Sequence, residues 1–398
     1  MPEQNETIPL IEYEPLRLPR HKISEDLGKQ IYQNYKGKIE IEFPSPKTDD
    51  QWELHSEGWV GNIPLTDQLS LSIQPKVEII NIFRMLEYAY RLGTMEFLEE
   101  LYEADSLTDF YNELANILAK KILARGRKGY YRTYLDLNQR LPFITGRLDL
   151  SSVIRQPWRI RPQCQYQEHT PDIEENQLLA WTLYIIARSG NCSSRVAPVI
   201  RRAFRDLQGF ITLIPFSPKN CIGRLYNRLN EDYEQLHVLS RFFLENSGPT
   251  HEVGSDSMVP FLVNMSDLYE LFVAEWLKVN LPPRYRLKSQ ENVDITADGK
   301  VKFAIDLVLY DLLENHTLCV LDTKYKAPES ASTSDLQQVI AYAQVKQCNE
   351  AILIYPKELQ NMREYDADDI RVRTLAFRLD GDLEAAGRTF LDELIPSN

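Results

Sequence analysis

Two aspartates and a lysine stand where strand formation alone gives no reason for them. Ala304-Ile305-Asp306-Leu307-Val308-Leu309 carries one carboxylate in an apolar run, and Leu321-Asp322-Thr323-Lys324 repeats the oddity in the next β-rich stretch. Strand side chains alternate with period two, so Asp322 and Lys324 share a face and Thr323 points away. If the two strands are neighbours, Asp306, Asp322 and Lys324 converge. Two such carboxylates repel unless a divalent cation sits between them, and hard oxygen ligands with open water positions are what Mg²⁺ prefers. A lysine beside that ion suits phosphate-ester hydrolysis, where it can orient or help deprotonate the attacking water and offset transition-state charge. Asp-x-Lys alone is a weak motif, because an exposed edge strand can carry the same charges with no chemistry.

The elements around these residues give the motif its context. The spacing predicts a helix over 334–347 with Ser334 as N-cap, placing Asp335, Gln338 and Tyr342 at i, i+3 and i+7 as one polar stripe. Leu336, Val339, Ile340 and Ala343 form the apolar side. A preceding helix over 267–279 offers Glu270 and Glu275 as a third acid, with Glu270 preferred and a pair of solvated glutamates as the alternative. Between them, 284–288 and 293–296 read as short strands, 297–300 as a hairpin turn, and 301–310 and 317–324 as longer strands. A buried strand over 351–356 closes a mixed sheet flanked by helices.

The 398 residues suffice for two or three domains, each with its own core. The whole reads as an α+β or α/β multidomain chain. Residues 1–110 are a β-rich region with a helical end, built from 39–43, 52–63 and 69–77 and a helical period from residue 80. Residues 111–250 are mainly helical and basic, with 107–123, 174–187 and 195–207 as helices and 141–150 as a strand with a glycine kink. Residues 251–398 are the mixed-sheet domain, after a linker-like segment at 247–257. The formal charge is −13, yet residues 120–205 hold sixteen Lys and Arg against six Asp and Glu. Such a stretch, with Tyr130, Tyr131, Tyr134 and Trp158 among the charges, suits a surface that meets phosphates or is simply a solvated face.

Several classes are disfavoured. There is no run of about 18 apolar residues. The first 30 residues lack the pattern of a signal peptide, so a cytoplasmic location is expected. Five cysteines without a C-x-x-C pair suggest reduced thiols, and the dispersed His169, His237 and His251 suggest no histidine metal site. No G-x-S-x-G elbow is present, and no G-x-x-x-x-G-K followed by Ser or Thr, so no nucleotide cradle is expected in this chain.

Asp306, the Asp322-Thr323-Lys324 run, Gln338 and Tyr342 on the following helix, and Glu270 resemble the PD-(D/E)xK nuclease superfamily. More narrowly, the chain resembles McrC, the nuclease subunit of McrBC-type modification-dependent restriction systems. The likeness runs from about residue 50 through LSIQPKV and FRMLEYAY (69–90), ITGRLDL (144–150), HTPDIEENQLL (169–179), LYELFVAEWL (268–277), LDTKYK and DLQQVIAYA (321–343). Ile305 replaces the proline of the superfamily name, and Asp322 stands where many members have glutamate. The resemblance implies a DNA endonuclease using Mg²⁺, with Mn²⁺ possible, held by Asp306, Asp322 and the Thr323 carbonyl. It implies roles for Lys324 on water and phosphate, Gln338 in positioning and Glu270 as accessory acid, with Asp335 and Tyr342 in support. It also implies an McrB-like AAA+ GTPase hexamer as partner, docked by residues 1–245, double-stranded DNA as substrate, and paired complexes for double-strand cleavage. Arg125, Arg127 and Lys128 then face either partner or DNA, with the partner favoured. A catalytically silent activator of the AAA+ partner, or a stand-alone DNA-repair nuclease, remains an alternative.

Overall fold

A computed structural model of the chain describes residues 6–66, 68–92, 106–247, 259–294, 302–326, 330–361, 364–367 and 369–395. The elements run β1 (Glu6–Ile11), β2 (Leu16–Pro19), α1 (Glu25–Asn34), β3 (Ile39–Glu42), β4 (Gln51–Ser56), β5 (Trp59–Pro64), β6 (Leu69–Gln74) and α2 (Ile79–Ala89). Next come α3 (Leu107–Lys128), β7 (Thr133–Arg140), β8 (Arg147–Leu148), α4 (Leu150–Arg155), β9 (Gln163–Thr170), α5 (Glu174–Ala187), α6 (Ala197–Gln208) and α7 (Tyr233–Asn246). The last group is β10 (Phe261–Asn264), α8 (Met265–Asn280), β11 (Tyr285–Asp294), β12 (Lys302–Asp311), β13 (His316–Thr323), α9 (Thr333–Lys346), β14 (Glu350–Tyr355), β15 (Glu364–Ala367), β16 (Ile370–Ala376) and α10 (Leu383–Leu394). The chain divides into two units, residues 1–110 with 260–398, and residues 111–259.

In the first unit, alternation sets each strand's faces. β4 buries every second residue, so Trp52 and Leu54 join Leu71 and Ile73 of β6 in one core while the intervening residues face outward. The sheet order β1-β6-β5-β10 brings a strand from beyond residue 260 against β5, so the two ends of the chain share a sheet. Further joins are the Asn81 side-chain amide donating to the Leu379 carbonyl at 2.8 Å and Tyr88 meeting Phe272 edge-on at 5.9 Å. The second sheet has the order β11-β12-β13-β14-β16-β15, antiparallel except for β13–β14 and β14–β16. Ile305, Val308, Val320, Leu353 and Val372 of this sheet are fully buried with Val339 of α9, each stabilising the fold by about 1.5–3 kcal/mol.

In the second unit, α3 buries Leu114, Leu118 and Ile122, and α5 buries Leu178, Leu179 and Trp181. Beside the helices lies a three-stranded sheet, β7-β9-β8, whose residues are mostly exposed. Gly146 sits at φ +63 where a Cβ would lie 2.4 Å from the Gln165 carbonyl oxygen, so only glycine fits this bend.

Several local expectations change. The two short strands at 284–288 and 293–296 are one strand, β11, as far as the described residues reach. The helix cap is Ser332, whose hydroxyl accepts the Asp335 amide, so α9 begins at Thr333. The strand expected over 141–150 shrinks to β8, because the Asp149 carboxylate caps α4 at once. The middle region carries a sheet as well as helices. β1, β2 and α1 were not foreseen. The turn at 297–300, most of the 247–257 segment and His251 lie outside the described residues. Among the described residues no helix is long and apolar enough to cross a membrane.

Candidate active site

β12 and β13 pair antiparallel up to Leu307↔Leu321, so the next rung sets Asp306 opposite Asp322 on the same face. β13 also pairs in parallel with β14 through Asp322↔Leu353 and Thr323↔Ile354, and the Lys324 amide donates to the Ile354 carbonyl at 2.8 Å. The parallel strand β14 on one side and the β12 ladder on the other fix the place of this strand end.

Asp322 is fully buried, and neither carboxylate oxygen has a hydrogen bond of normal geometry. Its Oδ2 lies 2.8 Å from the Lys324 ammonium as an ion pair. Burial pushes the Asp322 carboxyl well up, and Asp306 beside it adds to the rise against the pull of Lys324. Burial also raises the Asp306 carboxyl, although Asp322, Lys324 and the Thr323 amide favour its charged form. Burial works to lower the Lys324 pKa, but Asp322, Asp335 and Asp306 together raise it, so the side chain stays an ammonium. Two desolvated, mutually repelling carboxyls are a place where a cation replaces a proton.

α9 completes the lysine's surroundings. Its N-terminal half brings Asp335 Oδ1 to 3.7 Å from the ammonium, and the ammonium donates to Gln338 Oε1 at 3.2 Å. Gln338 Nε2 in turn donates to the Tyr342 hydroxyl at 2.7 Å. The three residues foreseen as a stripe therefore form a chain leading to Lys324.

From α8, Glu270 stands near Asp306 and Lys324; burial first, then Asp306, pushes its carboxyl up to about 7. Glu275 is turned elsewhere, to Arg91 at 2.8 Å and Lys278 at 2.8 Å. Among the described residues no three His, Cys, Asp or Glu side chains gather closely enough to hold a metal ion by themselves. Two carboxylates with backbone oxygen and open water positions nonetheless match the usual Mg²⁺ donor set, and the buried Asp322 carboxylate, whose Oδ1 has no hydrogen-bond partner, fits it. A residue missed in the sequence also stands here: the Gln290 side-chain amide donates to Glu270 Oε1. Its only trace in the sequence is the apparent break between two short strands.

The remaining candidates do not join this cluster. Arg125 pairs with Asp232 at 3.3 Å and lies over the Tyr233 ring, a packing role, whereas Arg127 and Lys128 are exposed. His169 stacks on Tyr134, and His237 is buried against the Tyr226 hydroxyl at 2.9 Å. The five cysteines are unpaired thiols.

The model of the family described as "McrBC 5-methylcytosine restriction system component" matches residues 54–356, more than half of the chain. The chain belongs to the McrBC family. Its structure is similar to a chain in the refined half-complex from a tetradecameric assembly of Thermococcus gammatolerans McrB AAA+ hexamers with bound McrC. The TM-score is 0.57 at 18% identity, covering 98% of this chain and 100% of that one. It is also similar to a chain in the cryo-EM structure of the Thermococcus gammatolerans McrBC complex, with TM-score 0.45, 21% identity, and 70% and 88% of the two chains covered. No curated protein matches the sequence. At these identities the likeness concerns the fold, and in this McrBC-family chain that fold carries the carboxylate–lysine cluster at the ends of β12 and β13.

Proposed function

We propose that this McrBC-family chain is the McrC-like endonuclease subunit of a modification-dependent restriction system and hydrolyses DNA phosphodiesters with Mg²⁺. The observation that carries the reading is the convergence of Asp306, Asp322 and Lys324, with Gln338 bonded to that lysine. Asp306, Asp322 and the Thr323 carbonyl would hold the cation. When bound, it supplies Lewis acidity to the phosphate and eases ionisation of water. Water adds to phosphorus and gives up a proton to solvent, one ester P–O bond breaks, and the departing oxygen takes a proton from solvent to leave as a hydroxyl. Lys324, held as an ammonium, orients the water and offsets the charge that develops on the phosphoryl oxygens. Gln338, braced by Tyr342, fixes the ammonium, and Asp335 and Glu270 complete the surrounding charge.

An AAA+ GTPase supplies the energy in this reading, as the McrB hexamers named for the structural neighbour would. The second unit offers it a surface: Phe143, Ile144, Leu150, Ile154, Trp158 and Ile160 are all 64% exposed or more. Exposed apolar residues of this kind suit a protein interface, and the exposed Arg140, Arg147, Arg155, Arg159 and Arg161 of the same segment suit an acidic counterpart.

The test is cleavage of methylated and unmethylated plasmid by wild type and Lys324→Ala, with and without the AAA+ GTPase, in Mg²⁺ and GTP. Cutting that requires the partner, GTP and Lys324 supports the reading. Stimulated GTP hydrolysis with no cutting by wild type replaces it with a silent activator.

A further inference from the structure

We propose that Gln290 is a positioning residue of the divalent-cation site, acting through Glu270; the inference rests on the nuclease reading above. Gln290 has φ +52, in the left-handed region that favours glycine, asparagine and aspartate. The other non-glycine residues with positive φ among the described ones, such as Asp49, Asn315 and Gln347, lie in turns. Gln290 instead lies inside a paired strand. The rungs on either side of it are Ser289↔Leu307 and Glu291↔Ile305, which places it across from Asp306.

Strain kept in the middle of a ladder, opposite a reactive carboxylate, requires compensation nearby. The compensation visible here is polar: the Gln290 side-chain amide donates to Glu270 Oε1. Glu270 is near enough to Asp306 and Lys324 for their charges to act on it, yet it stands outside any three-carboxylate cluster. One fixed oxygen sets the rotation of this carboxylate beside the ligand pair. Groups that orient a ligand set from one layer out change metal affinity or activity by about 10–100-fold when removed. Glutamine has the reach and the donor for this; glycine would suit the backbone better and offers neither.

The test uses the full chain. Gln290→Gly removes the donor and relieves the backbone, and Gln290→Asn tolerates the left-handed conformation with a side chain one methylene shorter. Calorimetric titration of the protein with Mn²⁺ alone, thermal melts, and partner-dependent plasmid cleavage are compared with wild type, Glu270→Gln and Asp306→Asn. Both Gln290 variants are expected to melt no lower than wild type while binding Mn²⁺ about tenfold or more weakly and cutting correspondingly slower. Unchanged Mn²⁺ affinity in a folded Gln290→Gly or Gln290→Asn protein overturns the inference. Full cleavage by Asp306→Asn overturns the nuclease reading itself, a separate result. A dead Asp306→Asn beside Gln290 variants that bind and cut like wild type removes only the role of Gln290.

Discussion

Glu270→Gln is expected to make the metal-free protein more stable, and increasingly so as pH rises. The Glu270 carboxyl sits at about 7 in the fold against an ordinary 4.5, because burial and Asp306 disfavour its charge. An acid with a raised pKa binds its proton more tightly in the folded state. Its contribution is therefore fully present below the unfolded value of 4.5 and is lost as pH climbs through 7. At 1.36 kcal/mol per pKa unit the ceiling is about 3.4 kcal/mol; the group is only partly buried, and solvent screening reduces it to about 2 kcal/mol. Glutamine is neutral throughout and escapes the loss. The stability gap between Glu270→Gln and wild type should be near zero at pH 4 and about 2 kcal/mol at pH 8. For a unit of this size that is a melting difference of about 4–8 °C. The assay is thermal unfolding in EDTA across pH 4–8.5 for both proteins, so that other titrating groups cancel in the difference. Adding Mg²⁺ at pH 8 should raise the wild-type melting temperature and narrow the gap, because a cation takes the place of the missing protons. A gap that stays constant with pH, or shrinks toward alkaline pH, would refute the electrostatic account of the site.

Other expectations are narrower. Lys324→Met keeps the aliphatic stem and removes the ammonium, and cleavage should fall by about 10²–10³-fold, the usual cost of losing one preorganised charge stabiliser; a loss below tenfold would reduce Lys324 to a structural partner of Asp322. His237, fully buried between the Tyr226 hydroxyl and the Glu175 carbonyl, has its pKa lowered to about 4, chiefly by burial. Its stabilising effect is present above pH 6.5 and fades as pH falls, costing about 2 kcal/mol by pH 5, which an acid series of denaturant melts would detect as a loss absent in His237→Gln. Ile160→Glu changes a side chain that is 94% exposed. Its melting temperature should match wild type while stimulation of the AAA+ GTPase falls; unaltered stimulation would remove this face from the docking surface.

Periodicity made some of this molecule readable and left other parts silent. Helix α5 is legible from end to end because its apolar residues and flanking turn signals act within one stretch of chain. The strands β12, β13 and β14 show for the same reason: an apolar run between turn residues needs no knowledge of its neighbours. β8 and the start of α4 were misread, since Asp149 serves as a helix cap within a run that looks like a strand. β7 alternates half-buried and exposed residues over Thr133–Asn138 but β9 does so only weakly, and both carry many polar side chains, so composition gave no sign of a sheet there. Gln290 broke the strand pattern in sequence, and only the ladder on both sides of it reveals one bent strand.

The sequence by itself determined that two aspartates and a lysine stand on apolar strands and that a polar stripe follows on a helix, because side-chain direction repeats locally every two or 3.6 residues. The tertiary structure decided the rest. It chose Glu270 over Glu275 as the acid near Asp306, tied Gln338 to Lys324, gave Arg125 to Asp232, and seated β10 beside β5. Each of these depends on which separate segments pack together, from 14 residues apart for Gln338 and Lys324 to about 200 for β5 and β10, and such packing is set by the whole core, not by any local pattern.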